Sequence, residues 1–548
     1  MSRSDSSSAT PVGRRRGGIR QAAAARARRS VQAVVQPVNR IPTYAILDPD
    51  AEEAIHQASM RILEEVGVDF RGDTEALALW REAGAEVAGE RVRIPPELAV
   101  AQLALAPDRF TQHARNPDRS VEIGGPNLVL APVYGPPYVR DLDGTRRRGT
   151  LEDLENFIKL AYRLPALNHS GGIICEPQDV PVPKRHLEIF RAHVRHSDKP
   201  FMGAVNAPER AMDCVEMARI VFGGADARET DNGRANTGGT DAGGTESVGA
   251  DTGGADAGER TVLISLVNGN SPLVWDATML GAMKVYARHH QALLVSPFIM
   301  QGANTPVTTA GALAQLNAEA VAGMAFAQLV RPGTPVVYGN TIATVSMQSG
   351  APTYGTAETV ILGLAITQLA RRYGVPSRTA GMRTGSKTCD ADAGAQSMIA
   401  MLSALLGRVH FVLHAAGFLE SGLSASFAKM VMDADQLSHL LGLVKGLHID
   451  DDTLALDAIR DVGPSGHFFG HRHTIEHYDS AFYHPMTAET GTWDQWVEEG
   501  RQDVEARAAA VAASLVDSFE PPPLDEGVAQ GLDEFIARRR RELPDEAF

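Results

Sequence analysis

Cysteine is scarce in these 548 residues. Cys175, Cys214 and Cys389 lie too far apart in sequence for a disulfide framework or a CxxC metal knuckle. A reducing cytoplasm is the compartment this usage implies. No apolar run approaches the ~18 residues that a transmembrane helix needs. The first thirty residues are rich in arginine and lack the apolar stretch of a secretory signal. What is present is an ordinary globular balance, 44% hydrophobic and 22% charged residues, enough for a large core.

The net charge of -15 is unevenly spread. Residues 1–40 hold nine Arg and one Asp, which leaves the body near −23. An acidic body argues against a general nucleic-acid surface. The basic stretch reads as a flexible tail that folds back on the acidic body, with RNA, an anionic lipid surface or an acidic partner as the alternatives. Residues 223–259 contain eleven Gly and eight acids in 37 positions, with Val248 as the one large aliphatic side chain. They cannot bury enough apolar area to offset their ordering entropy, so a disordered acidic insertion is expected there.

Around that insertion the chain alternates. Short apolar runs suited to buried parallel strands occur near 127–133, 167–174, 200–205, 261–267, 292–299, 334–340, 376–381 and 409–415. Helical spacing fills most of the intervals: Thr150 and Asp153 form a capping-box pattern, and 308–330 carries one apolar stripe. Eight strand–helix repeats predict a (β/α)8 TIM barrel over 127–432, an α/β fold. The weakest of the eight strands are 167–174 and 376–381. Residues 41–126 read as an N-terminal helical layer, and 433–548 as a C-terminal region of helices around a His-rich loop. These additions are expected to embrace the barrel or a neighbouring copy, consistent with a homo-oligomer.

Barrel enzymes work at the carboxyl ends of their strands. The candidates there are Tyr134 and Tyr138 after the first strand, Glu176 after the second, and Asn268 and Trp275 after the fourth. Gln301, Asn340, Arg383 with Lys387, and Glu420 follow strands five to eight. The set is polar, mostly uncharged and partly aromatic, which suits a cationic, poorly hydrated ligand held by aromatic faces. Rim packing is the alternative for Tyr134, Tyr138 and Trp275. Arg383 and Lys387 suit a carboxylate or phosphate, with surface ion pairing as the alternative. His467, His471, His473 and His477 crowd one loop at spacings that can bind zinc. That loop follows the last strand, whereas metal hydrolases of this fold place such a pair on the first, so no metal site is expected.

The stretches QGANTPVTTAGALAQLNAEAVAGMAFAQLVRPGTPVVYGN (301–340), RRYGVPSRTAGMRTGSKTCDADAG (371–394) and GPSGHFFGHRHTIEHY (463–478) resemble the trimethylamine methyltransferase (MttB) family. The resemblance runs from about residue 40 to the C-terminus, the acidic insertion being extra. It implies a (β/α)8 barrel that moves a methyl group from a methylated amine to the cobalamin cobalt of a separate corrinoid protein, with no cofactor bound tightly to the barrel itself. Trimethylamine enzymes of methanogens carry pyrrolysine in the region that corresponds to the segment after the seventh strand. Here Gly381, Met382 and Arg383 stand in that region, so no catalytic residue is named. Pyrrolysine-free relatives act on quaternary amines such as glycine betaine, which the expected cation-friendly pocket and a carboxylate clamp at Arg383 or Lys387 would suit. A metal-dependent hydrolase using the His-rich loop and a non-catalytic amine-binding protein of the same fold are the competing readings.

Overall fold

The computed structural model describes residues 36–223 and 260–546. The basic tail up to residue 35 and the expected insertion beyond Gly223 therefore lie outside the described residues. The end of the tail is tied down: Gln36 Nε2 donates to Glu122 O at 2.7 Å, and Asn39 Nδ2 to the buried Leu405 O at 2.9 Å.

Seven short strands form two parallel sheets. We number them β1 (Val129–Leu130), β2 (Phe201–Met202), β3 (Leu263–Val267), β4 (Ala292–Val295), β5 (Val336–Tyr338), β6 (Arg378–Ala380) and β7 (Phe411–Leu413). One sheet runs β5-β4-β3-β2 and the other β6-β7-β1, with every pairing parallel. Parallel neighbours require crossover connections, and helices supply them. These are α1 (Leu151–Arg163), α2 (Arg185–His196), α3 (Pro208–Phe222), α4 (Ala277–Arg288), α5 (Thr309–Val330), α6 (Ala357–Arg372), α7 (Ala391–Leu406) and α8 (Phe427–Lys445). The capping box expected at Thr150 and Asp153 opens α1.

Strand residues alternate between two environments, the period of two that pleating imposes. Ile264, Leu266, Leu294, Val337, Phe411 and Leu413 join one interior cluster with Met202 and Val129. Their neighbours Leu263, Leu293 and Val336 face the helices. At one seam between the sheets there is a single parallel bridge, Tyr338 to Ser377. At the other lies the expected second strand, 167–174, which is irregular instead of extended. The described strands therefore do not make one closed eight-stranded sheet.

The irregular segment is still bonded on both sides. Asn168 donates from Nδ2 to Leu128 O at 3.0 Å and accepts from Leu130 N at 2.8 Å. On the other side Ser170 N donates to Pro200 O and Met202 N to Gly171 O, both at 2.8 Å. Its glycine pair explains the lost regularity. Gly172 leaves room for the Tyr134 ring and the Met202 side chain, which a Cβ would meet at 2.8 and 3.0 Å. Two buried histidines brace it. His169 Nδ1 accepts from Gly171 N, which leaves Nε2–H to donate to Gln112 Oε1. His193 Nε2 donates to Gly172 O, and its Nδ1 accepts from Ser170 Oγ.

A hairpin, Arg109–Gln112 with Val121–Gly124, covers the amino ends of the strands. Phe110, Val121 and Ile123 enter the interior cluster from that side, and Gln112 Nε2 donates to Phe201 O and Val262 O. The N-terminal layer covers a flank. Strand Val68–Arg71 pairs with Val274–Asp276, and Phe70 rests on Phe326 of α5 at 5.7 Å between ring centroids. Trp275 follows β3 and is fully buried in this layer's core. Gly323 of α5 makes room for its indole, since a Cβ there would stand 2.4 Å from the ring. At the other end of the chain, helix Val504–Asp517 buries Val511 and Leu515 in the core shared with α1 and α8. Helix Glu526–Glu542 is tied to α3 through Arg539 and Asp213.

Two outcomes are expected. Asn168→Ala removes both side-chain bonds that tie the irregular segment to β1, and should lower unfolding stability by about 1–3 kcal/mol in chemical denaturation. Burial holds the His169 pKa at about 3 and the His193 pKa at about 4, below the ordinary 6.5. The unfolded chain therefore binds more protons than the fold below pH 6.5. Stability should be complete above that pH and fall as pH drops towards 4, with His193→Gln flattening part of the loss in a pH series of denaturation midpoints.

Candidate functional site

Inward strand positions set what the carboxyl ends of the strands present. Arg378 of β6 pairs with Phe411 of β7, an interior residue, so its side chain points inward with it. The side chain is fully buried. Its Nη1 donates to Ser296 Oγ at 3.2 Å, to Thr341 Oγ1 at 3.3 Å and to Asn340 O. Nε and Nη2 have no hydrogen-bond partner. Burial, with the neighbouring Arg383 charge second, pushes the guanidinium pKa down to about 9.

Arg383 is the second buried cation. Nη1 donates to Ile342 O at 2.7 Å, Nε has no partner, and the guanidinium lies 4.7 Å from the Tyr354 ring centroid. His414 follows β7 in the left-handed region, φ 61°, a costly conformation for a residue with a Cβ. Its Nδ1 accepts from Tyr134 N at 3.2 Å, and its ring meets Phe418 edge-on at 5.3 Å. Burial first, then Arg378 and Arg383, hold it well below the ordinary imidazole range, so it is neutral at neutral pH. Among the described residues neither arginine has a carboxylate within ion-pair distance. The three groups form a buried cationic corner with unspent donors.

Tyr134 leads from this corner to the other side of the site. Its phenol is pushed up by burial, then by the charge of Glu176. Glu176 lines a cavity of ≈ 190 Å³ with Arg185, His186, Met202, Asn206 and Cys214. The Glu176 carboxylate stands 3.3 Å from Arg185 Nη1, and burial raises its pKa against that pairing. Tyr134 stands beside both: its N–H donates to His414, and its ring rests against Gly172 and the Met202 end of that cavity.

The other expected residues are placed differently. Trp275 donates from Nε1 to Glu319 O and is core, not an aromatic wall. Tyr138 lies on a surface hairpin under Arg146, 3.7 Å from ring centroid to guanidinium. Lys387 is exposed and donates to Gly385 O, so it does not join Arg383. Glu420 accepts from Arg146 at 2.8 Å and Ser424 at 2.6 Å. Asn340 donates from Nδ2 to Arg378 O at 2.9 Å, which makes it a brace for Arg378. Asn268 and Gln301 each keep a buried side-chain oxygen without a partner. Gly381 is crowded against Val412 and Ala415, and Met382 is fully buried core.

Sequence reasoning passed over Arg378, although its strand was expected. The available signal was chemical: an arginine inside a run that must be buried on both faces. Tyr354 carried no such signal. The His-rich loop stands apart from this corner. His471, His473 and His477 bond to Asp452 and Asp461 of their own segment.

The trimethylamine methyltransferase (MTTB) profile matches residues 14–237 and 245–544. A glycine betaine methyltransferase of Desulfitobacterium hafniense (strain Y51) is 40% identical over 506 residues, 92% of this chain and 99% of that one. The trimethylamine methyltransferase MttB of D. hafniense (strain DSM 10664 / DCB-2) is 25% identical over 93% of this chain and 97% of its own. A proline betaine:corrinoid methyltransferase of Eubacterium limosum is 26% identical over 88% and 95%. A family profile matched along most of the chain, and a relative 40% identical over 92% of it, place this protein in the trimethylamine methyltransferase family.

Proposed function

We propose that this protein transfers a methyl group from a quaternary amine bearing a carboxylate, of the glycine betaine type, to the cobalt of a separate corrinoid protein. We read the two sheets and the 167–174 segment as one (β/α)8 barrel, closed by the Asn168 and Ser170 bonds on one side and the Tyr338–Ser377 bridge on the other. The observation that carries the function is Arg378: a buried guanidinium on an inward strand face, with Nε and Nη2 unspent and no carboxylate partner. A buried, unpaired charge costs several kcal/mol, and an incoming carboxylate would offset that cost with charge-assisted hydrogen bonds. The relative at 40% identity bears the name of a betaine enzyme, which supports the same reading.

The chemistry asks little of the side chains. A quaternary nitrogen already carries its positive charge, so loss of one methyl leaves a neutral tertiary amine and no proton need move. A neutral His414 agrees with that. Reduced cobalt supplies the nucleophile and ends methylated. The barrel's task is to anchor the carboxylate at Arg378 and Arg383 and to hold one N–CH3 bond in line with the acceptor. In this reading the ring of Tyr134, beside His414, takes the ammonium group, and an aromatic face contributes about 0.5–2 kcal/mol to holding it. The His-rich loop, bonded within its own segment, offers no support for the hydrolase reading.

The test is anaerobic methyl transfer followed by the absorbance of the reduced corrinoid protein, with glycine betaine and trimethylamine compared. Transfer from the betaine is expected. Arg378→Met should lower kcat/KM for the betaine by roughly 30-fold or more. It should also leave the unfolding midpoint unchanged or higher, because an apolar side chain replaces an unpaired buried charge. Lys387→Ala should change neither. Transfer from trimethylamine alone, or equal losses on both amines in Arg378→Met, would overturn the carboxylate site. Betaine binding without transfer would leave a binding protein of the same fold.

A further inference from the structure

The segment between α8 and helix Val504–Asp517 is built unlike the rest of the chain. From 446 to 485 Ala458 is the one buried residue. Leu447, Phe469 and Phe482 are 85%, 90% and 81% exposed. At its far end it is anchored to α8: Asp435 accepts from Tyr483 Oη, Met486 N and Thr487 Oγ1, each at 2.7 Å. Its near end leaves α8 beside Arg40, whose N–H donates to Val444 O. Forty residues with so little apolar burial need another source of order.

Two short helices within this segment converge. Helix Arg472–His477 places His473 and His477 four residues apart on one face, with ring centroids 4.5 Å apart. Helix Asp451–Leu454 brings Asp452 against them, 21 residues upstream of His473. His477 Nε2 stands 3.1 Å from Asp452 Oδ2, and one ligand atom from each of the three residues lies within 4.8 Å of the others. In a tetrahedral site with metal–ligand bonds near 2.0–2.2 Å, ligand atoms are about 3.3 Å apart. The His477–Asp452 edge is already close to that spacing. His473 Nε2 now bonds the Asp452 carbonyl at 3.2 Å, so coordination would exchange that hydrogen bond for a metal bond.

We propose that Asp452, His473 and His477 form a divalent transition-metal site of the zinc type, with water in the fourth position, that cross-links the 446–485 segment. Two imidazoles and one carboxylate favour zinc and its neighbours over calcium or magnesium, which take oxygen ligands. The position of the histidines after the last strand, taken alone, argues against metal. What changes the reading is the carboxylate that the fold brings to them. The site is structural: its residues bond within their own segment and not to the Arg378 corner. Closing the loop from 452 to 473 restrains a segment that has almost no core of its own.

The full chain, stripped with chelator and dialysed, is titrated with zinc chloride in a calorimeter. One site per chain of micromolar affinity or tighter is expected. A His473→Ala/His477→Ala double variant should lose it, and Asp452→Asn should weaken it. At zinc tenfold above Kd, limited proteolysis within 446–485 should slow by about tenfold in the native chain and not in the double variant. His467, His471 and His448 remain in the variant as a control for adventitious binding. Unchanged methyl transfer by the double variant would show that it is folded and that the metal is not catalytic. No zinc binding by the native chain, or identical binding by a folded double variant, would leave an ordinary His–Asp ion pair and overturn the proposal.

Discussion

A guanidinium turned into the interior of a parallel sheet has to be compensated, and the surroundings of Arg378 show how far this fold goes to do it. One nitrogen is satisfied by Ser296, Thr341 and the Asn340 carbonyl. Asn340 in turn donates to the Arg378 carbonyl and fixes the strand end. Two nitrogens are left over. A core selected for stability alone would not keep them. The second guanidinium, Arg383, sits close enough to depress the first, and both depress His414. Two guanidinium groups close enough to repel, beside a neutral imidazole, store a free-energy cost that the proposed carboxylate would offset.

The same corner limits what the reaction can use. A neutral His414 with its Nδ1 committed to Tyr134 N is a poor proton donor. No thiol is available as a nucleophile either: burial pushes Cys214 up to about 12 and Cys389 up to about 11, and Cys175 lies well above the ordinary thiol range. A site whose imidazole is neutral and whose chain offers no activated thiol fits a reaction in which the acceptor itself attacks and the enzyme contributes alignment.

Much of the architecture was legible because burial on both faces leaves a plain trace. Runs such as LISLV and ALLV became β3 and β4, and the stripe at 308–330 became α5. The segment 167–174 was legible as a place in the order but not as a shape. Its glycine pair yields to Tyr134 and Met202, and side chains of Asn168 and His193 replace ladder bonds, a substitution that apolar periodicity does not record. The site was legible in part. Arg383 is buried near Arg378, while its sequence neighbour Lys387 is exposed, because four residues of loop suffice to reverse a direction. Trp275 was expected among the aromatic faces of the binding site, yet Gly323, 48 positions away, leaves the room that draws it into the core. Contacts of that range are set by tertiary packing, which no local pattern carries.

The hairpin of residues 109–124 fills the floor of the interior with Phe110, Val121 and Ile123. A closed floor makes traffic one-ended. In the proposed reaction the amine and the bulky acceptor then share a single doorway, so the small molecule has to enter before the large one docks, and the demethylated product has to wait until the large one departs.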